Sequence, residues 1–239
     1  MGADWASRWS ICRKVWRREV VVHHGTHYRL PLDTPLAKPL KLINRPVRER
    51  IPVILAAVGP KNVQMAAEIA EGWQPLFFHP GKAHQVWGES LEQGFAKRDP
   101  SLGELDVQLQ IAFHLGEPGP EQLAAVRNQL ALYVGGMGAR EKNFYNQLAC
   151  NYGYEAEAKE IQDLYLDGRK QEAAAAVPDE LIEAVTLMGD EDAVRRQLRA
   201  LWDGGVRTLL LNPLAAAPDD RVSQVRRLSE IAGELKASL

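Results

Sequence analysis

The residues best placed to do chemistry begin with the run Ile51-Pro-Val-Ile-Leu-Ala-Ala-Val-Gly-Pro-Lys-Asn-Val-Gln-Met-Ala-Ala-Glu-Ile-Ala-Glu-Gly-Trp73, in which a short apolar strand empties into Gly59-Pro60 and at once opens a helix. The first N–H groups of a helix lack a carbonyl partner, and the helix dipole favours an anion beside them, so this turn suits a phosphate. Gly59 lets the main chain approach a ligand with no side chain between, although a glycine turn of this kind also serves simply to reverse the chain. His79 and His114 each close an apolar run at the expected C-terminal end of a strand, where an imidazole could polarise a carbonyl or bind an acidic group. Gly135-Gly-Met-Gly138, followed by Arg140, Lys142 and Asn143, reads either as a flexible basic loop closing on an acidic ligand, with Gly136 and Met137 at its tip, or as a helix–helix turn.

Other combinations carry less. Gly25 interrupts any helix that would align His23 with His27, and no carboxylate pattern completes a metal site there, so no metal is expected. Glu68 and Glu71 read as a solvated helix face. Cys12 and Cys150 have no metal or redox spacing and read as reduced packing thiols. Nucleophile-elbow, dinucleotide-fingerprint, Walker and zinc-helix motifs are all missing, which removes the usual support for hydrolase, Rossmann and nucleotide-triphosphatase readings.

The elements that must position these groups alternate. Trp5, Trp9, Cys12, Trp16 and Val20 recur at three-to-four spacing and predict an amphipathic helix over 5–21 with an aromatic face. Residues 20–22 and 26–30 predict a hairpin around His23-His24-Gly25, followed by a proline-punctuated connector to Pro52. Strand 53–57, helix 62–71 and the apolar run 73–78 then read as β-α-β, and a helix over 83–97 leads to a strand over 107–115 with strict alternation. Helices dominate 120–187, including one over 178–187. Asp190 caps a helix over 193–202, Gly204-Gly205 ends it before a strand over 206–211, and a last helix covers 221–239 with Val222, Val225, Leu228, Ile231 and Leu235 on one face. Alternating β and α units predict an α/β fold with a parallel sheet, its ligands at the carboxyl ends of the strands.

The chain has 239 residues, 46% of them hydrophobic and 25% charged, with a net charge of −2, as in an ordinary globular protein. That charge makes nucleic acid an unexpected partner, and no apolar stretch approaches the roughly 20 residues of a membrane span, so no membrane partner and a cytoplasmic location are expected.

The segments Ile51–Lys61, Ala67–Trp73, Tyr133–Arg140, Asn143–Tyr145 and Val177–Leu181 together, in this order, resemble the luciferase-like monooxygenase superfamily, and within it the branch that uses the deazaflavin coenzyme F420. The resemblance covers the chain from about Thr26 onward. It implies a TIM-like (β/α)8 barrel with an insertion, a cofactor (F420, or alternatively FMN) at the barrel mouth, and the backbone of Ala57, Val58 and Gly59 on the cofactor's phosphate-bearing chain. The implied reaction is hydride transfer between deazaflavin and a small organic substrate, with an FMN-dependent monooxygenase and a non-catalytic half-barrel fragment or assembly partner as the alternatives.

The resemblance further implies that residues 1–239 form one N-terminally truncated domain corresponding to about strands five to eight, with 1–21 a remnant helix and 120–187 the helical insertion. No residue of the chain then takes the catalytic role that the family's early strands supply. A half-barrel leaves sheet edges unpaired and an inner face wet, so a homo-oligomer or a complementing N-terminal half is the expected partner.

Overall fold

The computed structural model describes residues 2–48 and 50–237; Met1, Glu49, Ser238, Leu239 and the side chains of residues 2–6, Trp5 among them, lie outside that description. In chain order the elements are α1 (Gly2–Trp16), β1 (His23–His24), β2 (Arg29–Leu30), β3 (Ile54–Ala56), α2 (Pro60–Ile69), β4 (Gly72–Gln74), α3 (Ala83–Phe95) and β5 (Asp106–Leu115). There follow α4 (Pro120–Ala131), a π turn over Leu132–Gly136, α5 (Phe144–Asn151), α6 (Glu155–Leu166), α7 (Lys170–Ala175) and α8 (Asp179–Val185). The chain then runs through β6 (Leu187–Gly189), α9 (Glu191–Asp203), β7 (Val206–Pro213) and α10 (Pro218–Ala237).

The strands β3 to β7 make one parallel sheet, and β1 with β2 a separate antiparallel ribbon. Ala56 pairs with Gln74, Trp73 with Val107, and Val107 also with Val206, so β5 lies between β4 and β7. The end of β5 meets β6, Phe113 opposite Leu187. Each β-α-β connection returns to a parallel neighbour, which sends the strand ends after residues 56, 74, 115 and 213 to one edge of the sheet. The sheet is open: β3 pairs only with β4 and β7 only with β5 among the described strands.

Alternation along β5 decides what is covered. Leu109, Ile111 and Phe113 are buried in the helical layer, whereas Gln110 on the opposite face is exposed together with Ala56, Leu210 and Asn212. Under the covered face, Trp73 meets Trp87 edge-on at 5.2 Å and Phe78 stacks on Trp87 at 5.8 Å. The α2–α3 crossing is equally close, since a Cβ on Gly94 would lie 2.4 Å from the Gln64 carbonyl oxygen.

Several boundaries differ from the sequence expectation. α1 ends at Trp16, with Arg18 left-handed at φ 57°, and Val20 is exposed instead of extending the aromatic face. Helix α2 starts at Pro60, because a proline with its φ already helical fits the first turn, and it ends at Ile69. Glu71 therefore stands beyond the helix. It is no solvated face: its carboxylate accepts from Arg13, Arg50 and the Val53 N–H. Burial pushes that carboxyl up, but the Val53 N–H and the two guanidiniums outweigh it and hold it below its ordinary value. The helix expected over 178–187 stops at Val185, where Thr186 turns extended and Leu187–Gly189 becomes a strand. In α10, Val222 is exposed while Leu228 and Ile231 are buried.

Candidate functional site

The turn between β3 and α2 is held by backbone and indole donors and lies partly exposed beside Phe144. Ala57 N–H donates to the Gln74 carbonyl at 3.3 Å, and the indoles of Trp73 and Trp87 donate to the carbonyls of Ala57 and Val58, both at 2.9 Å. Gly59 is the N-cap at φ −72°, ψ 144°, its carbonyl accepting from Asn62 N–H and Val63 N–H at 3.0 Å each. With those carbonyls drawn inward, the N–H groups of Val58, Gly59 and Lys61 carry no hydrogen bond among the described residues. Three such donors at a helix start fit an anionic oxygen cluster such as a phosphate. Ala57, by contrast, has its own amide engaged with Gln74 and is 8% exposed, so it shapes the turn without donating to a ligand. Lys61 was overlooked in the sequence; its signal is Pro60, which at the first helical position makes Lys61 the next unpaired donor.

Above Gly59 lies the ring of Phe144, placed so that a Cβ on Gly59 would come within 3.2 Å of its Cε1. Phe144 opens α5, and its ring is largely exposed. Asn143 fixes that helix start: its Oδ1 accepts from Tyr145 N–H and Asn146 N–H, while its Nδ2 donates to the carbonyls of Tyr133 and Val134. Just past the other end of α5, Tyr152 donates its hydroxyl to the Phe77 carbonyl at 2.9 Å and accepts weakly from His79 N–H at 3.4 Å. Burial drives the Tyr152 hydroxyl far above its ordinary value, so it stays a proton donor. α5 thus spans the mouth from the Gly59 turn to the segment after β4.

That segment contains a backbone outlier. Phe77 sits at φ 52°, a conformation rarely adopted by a bulky residue. Alternation from Trp73 would send residue 77 into the helical layer; the left-handed step sends Phe78 there instead and leaves Phe77 against Tyr133 and Tyr145, with ring centroids 5.3 and 6.3 Å away. His79 is half-buried beside the Tyr152 ring at 5.3 Å, and its Nδ1 has no partner among the described residues. Burial first, then the Lys82 ammonium, lowers its pKa, which favours a neutral imidazole.

The remaining sequence candidates are not assembled with these. His114, near the end of β5, faces the β6 pairing with Met188; its Nδ1 also has no partner among the described residues. Gly135 and Gly136 do not form a flexible lid. They belong to the π turn and lie against Tyr165, where a Cβ on either would meet the ring or its Cβ at 2.4 to 2.5 Å. Arg140 is paired with Asp163 and Asn143 is buried as a cap, whereas Lys142 is exposed. Met137, beyond the π turn, is exposed. Among the described residues no group of three or more His, Cys, Asp or Glu side chains is close enough to hold a metal, and no helix is long and apolar enough to cross a membrane.

With this geometry in place, likeness to known proteins is informative. A Mycobacterium tuberculosis protein whose name provisionally assigns it as a coenzyme F420-dependent oxidoreductase is 39% identical over 228 residues, covering 92% of this chain and 64% of its own length. The 5,10-methylenetetrahydromethanopterin reductase of Archaeoglobus fulgidus is 27% identical over 188 residues, covering 78% of this chain and 55% of its own length. Among solved structures, the coenzyme F420-dependent tetrahydromethanopterin reductase from Methanopyrus kandleri superposes with a TM-score of 0.69 at 21% identity, over 97% of this chain and 61% of that one. The chain therefore spans between about half and two thirds of these relatives, and its fold is a mixed α/β one similar to that of the TIM-barrel-like Methanopyrus kandleri reductase, with no closed barrel among the described residues. The family model for luciferase-like monooxygenases matches residues 9–208, and this chain belongs to that family.

Proposed function

We propose that this chain is an F420-dependent oxidoreductase of the luciferase-like type, acting on a small organic molecule. The observation that carries the proposal is the β3–α2 turn: in a chain of this family, the amides of Val58, Gly59 and Lys61 carry no hydrogen bond among the described residues at a helix start, where an anionic coenzyme chain would be held. Two of the relatives named above carry coenzyme F420 in their names, which favours F420 over FMN. When bound, a deazaflavin supplies the hydride chemistry itself. The chain's own residues hold and orient: the amides of Val58, Gly59 and Lys61 grip phosphate, the Trp73 and Trp87 indoles keep the turn's carbonyls directed away from it, and Ala57 anchors the turn to β4. His79, held neutral by burial, stands at the same mouth as a group able to accept a hydrogen bond from a ligand. No residue is assigned to proton transfer, and His114, Gly136 and Met137 are kept as substrate-side residues only.

We further propose that residues 1–239 act as one luciferase-like domain whose parallel strands correspond to about strands five to eight of the family barrel, with the segment 1–21, helical only as far as Trp16, leading into them and 120–187 an insertion. Ala56, Gln110, Leu210 and Asn212 are exposed on a sheet face that parallel sheets normally cover, which supports a second copy or a complementing half as the partner. Titration of F420 with the chain, followed by coenzyme fluorescence and repeated with FMN and with inorganic phosphate as competitor, tests the function. Saturable F420 binding displaced by phosphate is expected; tight FMN binding without F420 binding overturns the coenzyme assignment. Light scattering across concentrations tests the partner, with a constant monomer mass contradicting self-association.

A further inference from the structure

Charge is divided along the chain in a way that the net value of −2 conceals. Residues 1–50 hold eleven Lys and Arg against four Asp and Glu, a net charge of +7, which leaves −9 for residues 51–239. Part of the basic excess is unpaired. Lys38, Lys41, Arg45 and Arg48, in the connector between β2 and β3, are all exposed, and none has a hydrogen-bond or ion-pair partner among the described residues. Interleaved with them are Leu36, Ile43 and Val47, which are 91%, 93% and 103% exposed. Exposed aliphatics are ordinary when scattered singly; three of them among four free cations in one short segment are not.

Little holds this segment to the body. The Leu40 carbonyl accepts from Val21 N–H at 2.9 Å and the Leu42 carbonyl from Arg18 Nε at 3.3 Å, but residues 43–48 make no backbone–backbone hydrogen bond among the described residues. Val47 and Arg48 line a hollow at the end of α1 together with Trp16, Arg17 and Arg18, where Arg17 is paired with Glu19 and Arg48 is free. A protein partner that buried these aliphatics would also desolvate the cations between them, and the cores of protein interfaces are depleted in charged residues, Lys among them. The headgroup layer of an anionic bilayer meets both needs at one depth: phosphates for the cations, and the acyl boundary for Leu, Ile and Val and for an indole such as Trp16. The field that attracts the connector repels the acidic remainder of the chain, so it also sets the orientation.

We propose that residues 36–48, with Arg17 and Arg18 beside them, form a docking surface for an anionic phospholipid bilayer. The chain adsorbs there without crossing; the expectation of no membrane partner rested on the length of apolar runs, which bears on crossing alone. The proposal is independent of the coenzyme reading.

The test sediments the full chain with vesicles of phosphatidylcholine alone and of equal parts phosphatidylcholine and phosphatidylglycerol. Binding to the mixed vesicles only, weakening as salt is raised, is expected. Lys38→Ser/Lys41→Ser should weaken it about fivefold for each charge removed. Ile43→Ser/Val47→Ser should weaken it about tenfold or more. All four side chains are exposed, so thermal unfolding should not move in either variant, and the control Lys159→Ser/Lys170→Ser, on α6 and α7, should bind as the native chain does. Absence of binding to the mixed vesicles, equal binding to both kinds, or an equal loss in the control would each overturn the proposal. If, without vesicle binding, light scattering showed a mass rising with concentration and Ile43→Ser/Val47→Ser abolished the rise, the occupant would be a second copy. If duplex DNA displaced the vesicles and bound Ile43→Ser/Val47→Ser as tightly as the native chain, the surface would belong to nucleic acid. F420 titration of the same variants should match the native chain, which keeps this outcome separate from that of the coenzyme assignment.

Discussion

Trp87 donates its indole N–H to the Val58 carbonyl at 2.9 Å, so a core aromatic fixes the direction of the peptide that opens the candidate anion site. The same ring stacks on Phe78 and meets Trp73 edge-on, which leaves it little freedom to follow the turn if the bond is lost. Trp87→Phe keeps most of the packing and strands the carbonyl, at a cost of about 1–3 kcal/mol. Chemical denaturation is expected to show that loss, and F420 titration a several-fold weaker affinity; full affinity in a folded variant would mean that the carbonyl's direction is immaterial to binding.

Gly59→Ala separates conformation from access. At φ −72° alanine is unstrained, and the Cβ would meet only the Phe144 ring, whose exposed position lets it yield by a few tenths of an ångström. The midpoint of thermal unfolding should stay within the range of about 0.5 kcal/mol typical of surface changes. Affinity for F420 should nonetheless fall about tenfold, or about 1.4 kcal/mol, because the methyl stands where the ligand approaches. By contrast Gly135→Ala places its Cβ 2.5 Å from the Tyr165 Cβ and 3.1 Å from the Ile161 carbonyl, and an overpacking loss of about 1–3 kcal/mol is expected. Unchanged stability of Gly135→Ala would restore the idea of a loose glycine loop.

The contrast between these glycines shows what could be read from the sequence. The strand–turn–helix at 51–69 was legible because local chemistry determines it: an apolar run, a glycine and a proline at the first helical position. So was β5, whose alternation survives intact from Val107 to Phe113. The Gly135-Gly136 pair looked mobile because what immobilises it, Tyr165, lies thirty residues away in another helix. Phe77 was illegible for a similar reason. No local signal announces an inverted alternation in a bulky residue, and the group that holds it, Tyr152, comes from the far end of α5. The strand Leu187–Gly189 carries no signal of its own: Leu187 continues the apolar pattern of the helix expected over 178–187, Gly189 adjoins the next cap, and only pairing with β5 marks the three residues as a strand.

His79 should make stability depend on pH in a defined window. Its pKa is lowered in the folded protein by burial and by Lys82, so the unfolded chain takes up the proton first. Stability is therefore full above the ordinary histidine value of about 6.5 and declines as pH falls through it, until the folded form protonates too. Glu71, whose pKa is also lowered, contributes stability that is lost only further down, as pH falls through its own depressed value. Denaturation midpoints measured from pH 7.5 to 5 should decline in the native chain, and His79→Gln should flatten that decline. An identical slope in the variant would show that the imidazole does not lose its proton on folding.

Asn143 offers the sharpest test of how the insertion reaches the mouth. Its buried carboxamide uses both ends: the oxygen caps α5, and the nitrogen holds the carbonyls of Tyr133 and Val134 at 2.8 and 2.9 Å in the π turn. Aspartate is as good an N-cap as asparagine, so capping alone would make Asn143→Asp nearly neutral. The second oxygen, however, would confront two carbonyls where a donor is required, and a buried carboxylate facing acceptors is expected to destabilise by several kcal/mol. Asn143→Asp should therefore be at least as damaging as Asn143→Ala at pH 7.5. It should recover part of its stability at pH 5, because protonation lets one oxygen donate again, whereas Asn143→Ala should gain nothing from acidification. Thermal unfolding of both variants at the two pH values decides it: an aspartate variant as stable as the native chain at pH 7.5 would mean that α5 is held by its cap alone, and that the link from the π turn to the ring over Gly59 carries no weight.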